Sequence, residues 1–229
     1  MQEKETIIIS LGGAIVVPDM PNPSFISLFR DIILNWTKRG KRFVIIVGGG
    51  KTCRRYNEAL SNVIDTTNED LDWMGIYSTQ LNAQLVRLSF KGSDAYEDII
   101  TDPSNVRGIN NSIIIGAGWK PGCSTDTDAV LVAKEIGSKK IINLSNIDYV
   151  YDSDPRTNPD AKKFENISWK EYRSVISSEW EPGSNTPFDP IASEKAEDEG
   201  IEVAFMSGQN LENLENYLND LPFTGTTIK

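Results

Sequence analysis

Ile45-Ile46-Val47 runs straight into Gly48-Gly49-Gly50-Lys51, and a helical pattern follows. An apolar, β-branched run closed by three glycines and opening a helix leaves few folds available. Glycines let the backbone turn sharply and come within hydrogen-bonding distance of a ligand. The free N–H groups and the dipole at the start of a helix favour a bound phosphate. The stretch therefore points to a nucleotide or phosphate-ester site.

The same alternation of strand and helix patterns continues along the chain, which predicts an α/β fold with a largely parallel sheet. Thr6–Ser10 reads as a strand closed by Gly12-Gly13. Ser24–Arg39 reads as a helix, with Phe25, Leu28, Phe29, Ile32, Ile33 and Trp36 at helical spacing and Gly40 ending it. Phe43–Val47 is the next strand, followed by helices over Lys51–Val63 and Asn68–Phe90. Asp94–Asn111 reads as one strand and a loop, and Ser112–Ile115 as a strand. Asp126–Ile136 is a helix, Lys140–Leu144 a strand, and Asp148–Pro159 a turn-rich hairpin. Helices are expected at Ser168–Ser177, Pro187–Glu199 and Leu211–Leu218, with strands at Ile201–Phe205 and Thr226–Ile228. No repeat or low-complexity linker divides the 229 residues, so one domain with a sizeable core is expected.

Composition narrows the chemistry. The chain has no histidine, which excludes Ser-His-Asp, Cys-His and His-ligated metal chemistry. A net charge of −10 argues against a general nucleic-acid surface. No apolar run approaches the ~20 residues that span a bilayer, and the charged start does not resemble a signal peptide. Cys53 and Cys123 are the only cysteines and have no metal-ligand spacing, which fits a reduced, cytoplasmic setting. A reaction that rests on positioning and charge, such as phosphoryl transfer, suits these limits.

Three glycine-bearing loops follow apolar strands: Gly12-Gly13, Gly48–Gly50, and Gly116-Ala117-Gly118 through Pro121-Gly122. Ligands bind beyond the carboxyl ends of strands in open parallel sheets, so all three are candidates for one cleft. Neither G-x-G-x-x-G nor the P-loop pattern occurs, so any phosphate site here follows another design. Lys51, Arg54 and Arg55 sit in the first turns after the glycines, where cations oppose the helix dipole unless an anion lies between them. Ser124-Thr125-Asp126-Thr127-Asp128 opens a helix, and capping accounts for only one or two of these five polar residues.

Several stretches resemble the amino-acid kinase superfamily. Ser145-Asn146-Ile147-Asp148-Tyr149-Val150-Tyr151-Asp152-Ser153-Asp154-Pro155 resembles its T-N-V-D-G-V-Y-x-x-D-P element. Gly118-Trp119-Lys120-Pro121-Gly122-Cys123-Ser124-Thr125-Asp126 resembles the G-x-x-P-G-x-[ST]-T-D loop of its uridylate kinase branch, the archaeal type in spacing. The helix from Asp72 through Gly75-Ile76 to Asn82, the stretch Gly183–Ala192 and the closing Gly225–Ile228 are similar to that branch as well. The resemblance implies a three-layer α/β sandwich around about eight mostly parallel strands. It implies transfer of the γ-phosphate of MgATP to UMP, a step in pyrimidine nucleotide biosynthesis, with ATP and Mg²⁺ as cofactors. Residues up to about 120 would form the UMP side and residues 121–229 the ATP side.

Carried over by position, Gly13, Ala14, Gly50, Arg54, Ser145, Tyr151 and Asp154 would contact ATP. Gly49, Asp72 and the loop Trp119, Lys120, Pro121, Gly122, Cys123, Ser124 and Thr125 would hold UMP. Arg54, Asp126 and Lys51 are the catalytic candidates, and no metal ligand is assigned. Relatives form hexamers built from dimers, and the Ser24–Arg39 helix, with Phe25, Phe29 and Trp36, is a candidate interface, with simple core packing the equal alternative. The chain departs from the pattern at Ser10 and Ser184–Pro187, where many members carry lysines. Lys51 or Lys120 is the expected substitute. Tyr149 replaces a glycine, and Thr127 and Asp128 replace small apolar residues. Those departures keep two alternatives open: a nucleotide-binding sensor or molybdenum or tungsten storage relative, and a kinase acting on another small acid.

Overall fold

The computed structural model describes residues 5–155, 157–176 and 186–229. The expected motif residues Gly183, Ser184 and Asn185, and the Ser177 end of one expected helix, lie outside the described residues.

The chain opens with strand β1 (Thr6–Leu11), a short helix α1 (Gly13–Val16) and helix α2 (Pro23–Lys38). Then come β2 (Arg42–Val47), α3 (Gly50–Ser61), α4 (Asn68–Ser89), β3 (Ala95–Ile100) and β4 (Ile113–Gly116). The second half has α5 (Thr125–Ile136), β5 (Lys140–Ser145), β6 (Val150–Tyr151), β7 (Lys163–Phe164), β8 (Asn166–Ile167) and α6 (Trp169–Val175). It ends with α7 (Pro190–Asp198), β9 (Glu202–Ser207), α8 (Leu211–Leu218) and β10 (Thr226–Ile228). Eight strands form one sheet in the order β3-β4-β2-β1-β5-β9-β10-β8. All neighbours pair in parallel except β9 and β10.

Strand alternation builds two cores from one sheet. Ile9, Ile45 and Ile115 face α2, α4 and α8, where Phe29, Ile33, Ala83 and Leu214 are buried. Ile8, Val44 and Ile114 face α5, α6 and α7, where Ala129, Val132, Tyr172 and Ala192 are buried. Both faces of the central strands are covered, so those strands read as continuous apolar runs.

Local signals explain the helix limits. Asn22 caps α2 by accepting the Phe25 N–H, with Pro23 at the first helical position. Thr67 and Asp70 form a reciprocal capping box on α4. Gly137 ends α5 at φ +70°.

Three expectations change. Phe25, Phe29 and Trp36 are at most 7% exposed and pack into the first core, so these three side chains serve core packing and offer no surface to a partner. The hairpin extends past Pro159, since β6 pairs with β7 at Lys163–Phe164. α1 and the two-residue β8 carry too few residues for a periodicity to register.

Candidate active site

The ends of β1, β2, β4 and β5 open into one cleft. Gly12-Gly13, Gly48–Gly50 and Gly118 all line it, so the three glycine loops converge as expected. The first two loops touch backbone to backbone. A Cβ on Gly13 would lie 2.3 Å from both the Gly48 oxygen and the Gly50 nitrogen. Gly50 has φ +59°, and a Cβ there would lie 2.4 Å from the Gly13 carbonyl carbon. No larger residue fits this seam.

Neighbouring elements hold the seam. Gly12 N–H donates to the Leu144 oxygen at 2.9 Å, and Gly48 N–H to the Leu11 oxygen at 2.9 Å. Asn82, 3% exposed on α4, donates its amide to the Gly48 and Gly49 oxygens at 2.9 and 3.1 Å. Asn82 is a site residue that motif matching quotes but gives no role; its signal is a polar residue on the buried face of an apolar helix. No side chain caps α3, so its first N–H groups stay available to an anion.

The three cations after the glycines separate. Lys51 Nζ reaches Asp19 Oδ1 at 2.9 Å, and Arg55 bonds the same oxygen at 3.1 Å and the Asp19 main-chain oxygen at 2.8 Å. The anion that relieves those two cations is a carboxylate of the protein. It holds Lys51 outside the set of residues lining the cleft. Arg54 does line the cleft and has no ion-pair partner among the described residues.

The loop after β4 is pinned at three main-chain N–H groups. Gly118 N donates to Thr79 Oγ1 at 2.8 Å, Trp119 N to Asp128 Oδ2 at 3.2 Å, and Gly122 N to Asp72 Oδ2 at 2.8 Å. Cys123, Ser124 and Thr125 line the cleft, whereas Trp119, Lys120, Pro121 and Gly122 do not. Lys120 Nζ sits 3.9 Å from the Trp119 ring centroid, so neither expected stand-in for a phosphate lysine lines the cleft. Ser145 lines the cleft; Tyr151 and Asp154, in the β6–β7 hairpin region, do not. Gly13, Ala14, Gly49, Gly50, Arg54, Asp72 and Asp126 all line it, joined by Cys53, Asn57, Asn143 and Asp189.

Carboxylates gather at the cleft floor. Asp126 Oδ1 accepts from Ser10 Oγ at 2.7 Å and from Asn143 Nδ2 at 3.0 Å. Asp189 caps α7 through the Ile191 and Ala192 N–H groups and accepts from the Ser124 hydroxyl. Burial, and then the charge of Asp189, push the Asp126 carboxyl up to about 7 against the pull of Ser10. Burial raises Asp189 as well, opposed by Ser124 and the α7 N–H groups. Asp128 is 1% exposed, and burial lifts its carboxyl well above the usual range. Burial also raises Asp72, opposed by the Gly122 N–H.

No group of three or more Cys, Asp or Glu side chains among the described residues converges as a metal cage. A Mg²⁺ carried on nucleotide phosphates keeps several waters and needs only one or two carboxylates. Asp126 and Asp189, buried side by side with no ion pair among the described residues, fit that demand.

The amino acid kinase family model matches residues 5–207. A uridylate kinase of Methanospirillum hungatei is 33% identical over 226 residues, covering 97% of this chain and 94% of its own. One from Thermoplasma volcanium is 31% identical over 227 residues, covering 98% of each. The crystal structure of uridylate kinase from Archaeoglobus fulgidus superposes with a TM-score of 0.81 at 26% identity, over 97% of this chain and 99% of that one. None of the described helices is long and apolar enough to cross a membrane.

Proposed function

The chain belongs to the amino acid kinase family, and from that premise we propose that its cleft binds ATP and UMP together and transfers the terminal phosphoryl group, giving ADP and UDP. One observation carries the reading: the seam of Gly13, Gly48 and Gly50, where two glycine loops meet beside the uncapped start of α3. Two phosphate-bearing ligands bound one to each loop would meet end to end there. The uridylate kinases that align over nearly the whole chain support UMP as the acceptor.

The acceptor phosphate is already an anion near neutral pH, so the reaction needs no general base, in keeping with a chain that has no histidine. What it needs is alignment and fixed positive potential against the charge of the transferring group. Main-chain N–H groups of the glycine loops supply the donors, and the hydrogen bonds from Gly12, Gly48 and Asn82 hold those loops in place. Arg54 supplies the cation, and the tether to Asp19 leaves Lys51 with a supporting role at most. Mg²⁺ bound with ATP would neutralise phosphate charge, with Asp126 and Asp189 as the carboxylates that hold it. Ser10 and Asn143 fix the orientation of Asp126.

On this reading Gly13, Ala14, Gly50 and Ser145 contact ATP, with Tyr151 and Asp154 on the adenosine side. Gly49, Asp72 and the Trp119–Thr125 loop hold UMP. The boundary between the two sides falls near residue 120. Asp72 argues against an acceptor that presents a carboxylate, since like charges would face each other, and it suits a hydroxyl or N–H donor.

The protein acts in the cytoplasm in pyrimidine nucleotide synthesis, and it assembles as a homo-oligomer. The support for assembly is a stripe on α4: Trp73, Tyr77, Leu81 and Leu88 are 41%, 61%, 63% and 50% exposed and recur every turn or two. A coupled ADP-release assay with MgATP tests the reaction against UMP, CMP, dUMP, aspartate, N-acetylglutamate and carbamate. Turnover selective for UMP supports the reading. Folded protein that binds ATP and phosphorylates none of them refutes it in favour of a sensing or storage role.

A further inference from the structure

The chain leaves the sheet at Ala117, whose N–H makes a last bond to β3 through the Ile100 oxygen at 2.9 Å. The next two N–H groups have no strand to pair with, so side chains must take them. Gly118 N donates to Thr79 on α4, in one helical layer, and Trp119 N donates to Asp128 on α5, in the other. The exit of the loop is fixed separately. Ser124 caps α5 by accepting the Thr127 N–H, and its hydroxyl donates to Asp189. Asp128 Oδ2 therefore ties the entry of the loop to the helix that begins at its exit, across nine positions of chain. Cys123, Ser124 and Thr125, which line the cleft, lie inside this closed stretch.

Asp128 is an expensive residue to keep. It is 1% exposed and sits in the second core, where Ala129, Val130 and Val132 are buried. Its Oδ1 has no hydrogen-bond partner among the described residues. Asp189, Asp126 and Asp102 add like charge around it. A buried acid with one bond and acidic neighbours destabilises the fold, and an apolar side chain of similar size would pack there at lower cost. Unlike Asp126 and Asp189, Asp128 does not line the cleft, so it can act on a ligand only through another group. The group it holds is the Trp119 N–H. Stability given up beside a ligand loop is the usual trade for function.

We propose that Asp128 is a positioning residue, which acts through the Trp119 N–H to hold the Trp119–Thr125 loop in the shape that receives the acceptor nucleotide. This rests on the reading of that loop as part of the UMP site.

The test compares wild type, Asp128→Val and Asp128→Asn by steady-state kinetics, thermal unfolding and hydrogen exchange at the Trp119 amide. Valine keeps a branched side chain in the core and removes the acceptor. Asp128→Val is expected to raise the KM for UMP about tenfold, the worth of one hydrogen bond, with the KM for ATP unchanged and Tm no lower than wild type. Exchange at Trp119 should quicken by a similar factor. Asp128→Asn still offers an oxygen to the Trp119 N–H, so it should return both the KM for UMP and the protection to near wild type. A fall in Tm for Asp128→Val with both KM values rising together marks a structural role and overturns the assignment. An unchanged KM for UMP in Asp128→Val overturns it as well. If the wild type phosphorylates no UMP, the reaction reading fails by itself, and the exchange at Trp119 still decides whether Asp128 holds the loop.

Discussion

Asp126→Asn is expected to make the ligand-free protein more stable and the enzyme inactive. The Asp126 carboxyl is pushed from 3.8 up to about 7, chiefly by burial and then by Asp189. Between those values the folded state holds a proton that the unfolded chain has released. Stability therefore falls as pH rises through this window. That displacement corresponds to about 4 kcal/mol of destabilisation once the pH is well above 7. An asparagine carries no charge to desolvate. Its oxygen can still accept from Ser10 and Asn143, which both bond Oδ1 of the native carboxylate. Part of the gain is offset because the new amide NH₂ must find acceptors, and because Asp189 shares the titration. A net gain of about 2 kcal/mol at pH 8, or about 4–8 °C in Tm for a domain of this size, is the expected result. Thermal unfolding without nucleotide or Mg²⁺, at pH 5 and pH 8, measures it. The gap between variant and wild type should widen with pH, and turnover should fall by about 10² or more. A variant less stable than wild type at pH 8, or a gap that ignores pH, would refute the reasoning.

Other substitutions separate the two sides of the cleft. Asp72→Asn should weaken UMP binding far more than ATP binding in calorimetric titrations; equal losses contradict the assigned pocket. Arg54→Ala should lower kcat about 10²–10³-fold with little change in Tm. Lys51→Ala should leave most of the turnover, because Asp19 already holds that ammonium, and steady-state kinetics on the pair measures the contrast. Leu81→Asp, on the exposed face of α4, should reduce the mass of the assembly in light scattering without unfolding the protomer. An unchanged mass excludes the α4 stripe as the contact.

Much of the fold was legible because the central strands are buried on both faces and the helices carry clear periodicity. Arg42–Val47 and Glu202–Ser207 are near-continuous apolar runs, and Gly or Asn-rich turns bound them. What escaped was either too short to have a period, as with α1 and β8, or depended on tertiary position. The apolar residues of Ser24–Arg39 illustrate the second case. Phe25, Phe29 and Trp36 look like more hydrophobic surface than one sheet face needs, yet α2 meets β2, α4 and α8 at once, and all three are covered. The true excess is on α4, whose apolar residues are spread so evenly around the helix that the pattern cannot separate the buried side from the exposed one.

At the site, motifs located the loops but not the partners of their side chains. Lys51 and Arg54 are both cations one turn apart on the same helix, and nothing in their spacing tells them apart. The difference lies in Asp19, in the turn after α1, whose carboxylate and main-chain oxygen take Lys51 and Arg55 and leave Arg54 to the cleft. The missing strand lysine has a similar explanation in reverse. Ser10 does not replace the charge; it donates a hydrogen bond to Asp126 and leaves the acidic floor uncompensated. A chain that keeps two buried carboxylates without a cation sacrifices stability at the point where a metal-bound polyphosphate would restore balance. On the proposed reading, that cost in the ligand-free protein would become affinity for the charged ligand, because the same carboxylates that repel each other would attract the cation it carries. A protein built this way should gain more thermal stability from MgATP than its Asp126→Asn variant does, and the difference should vanish when ATP is supplied without the metal.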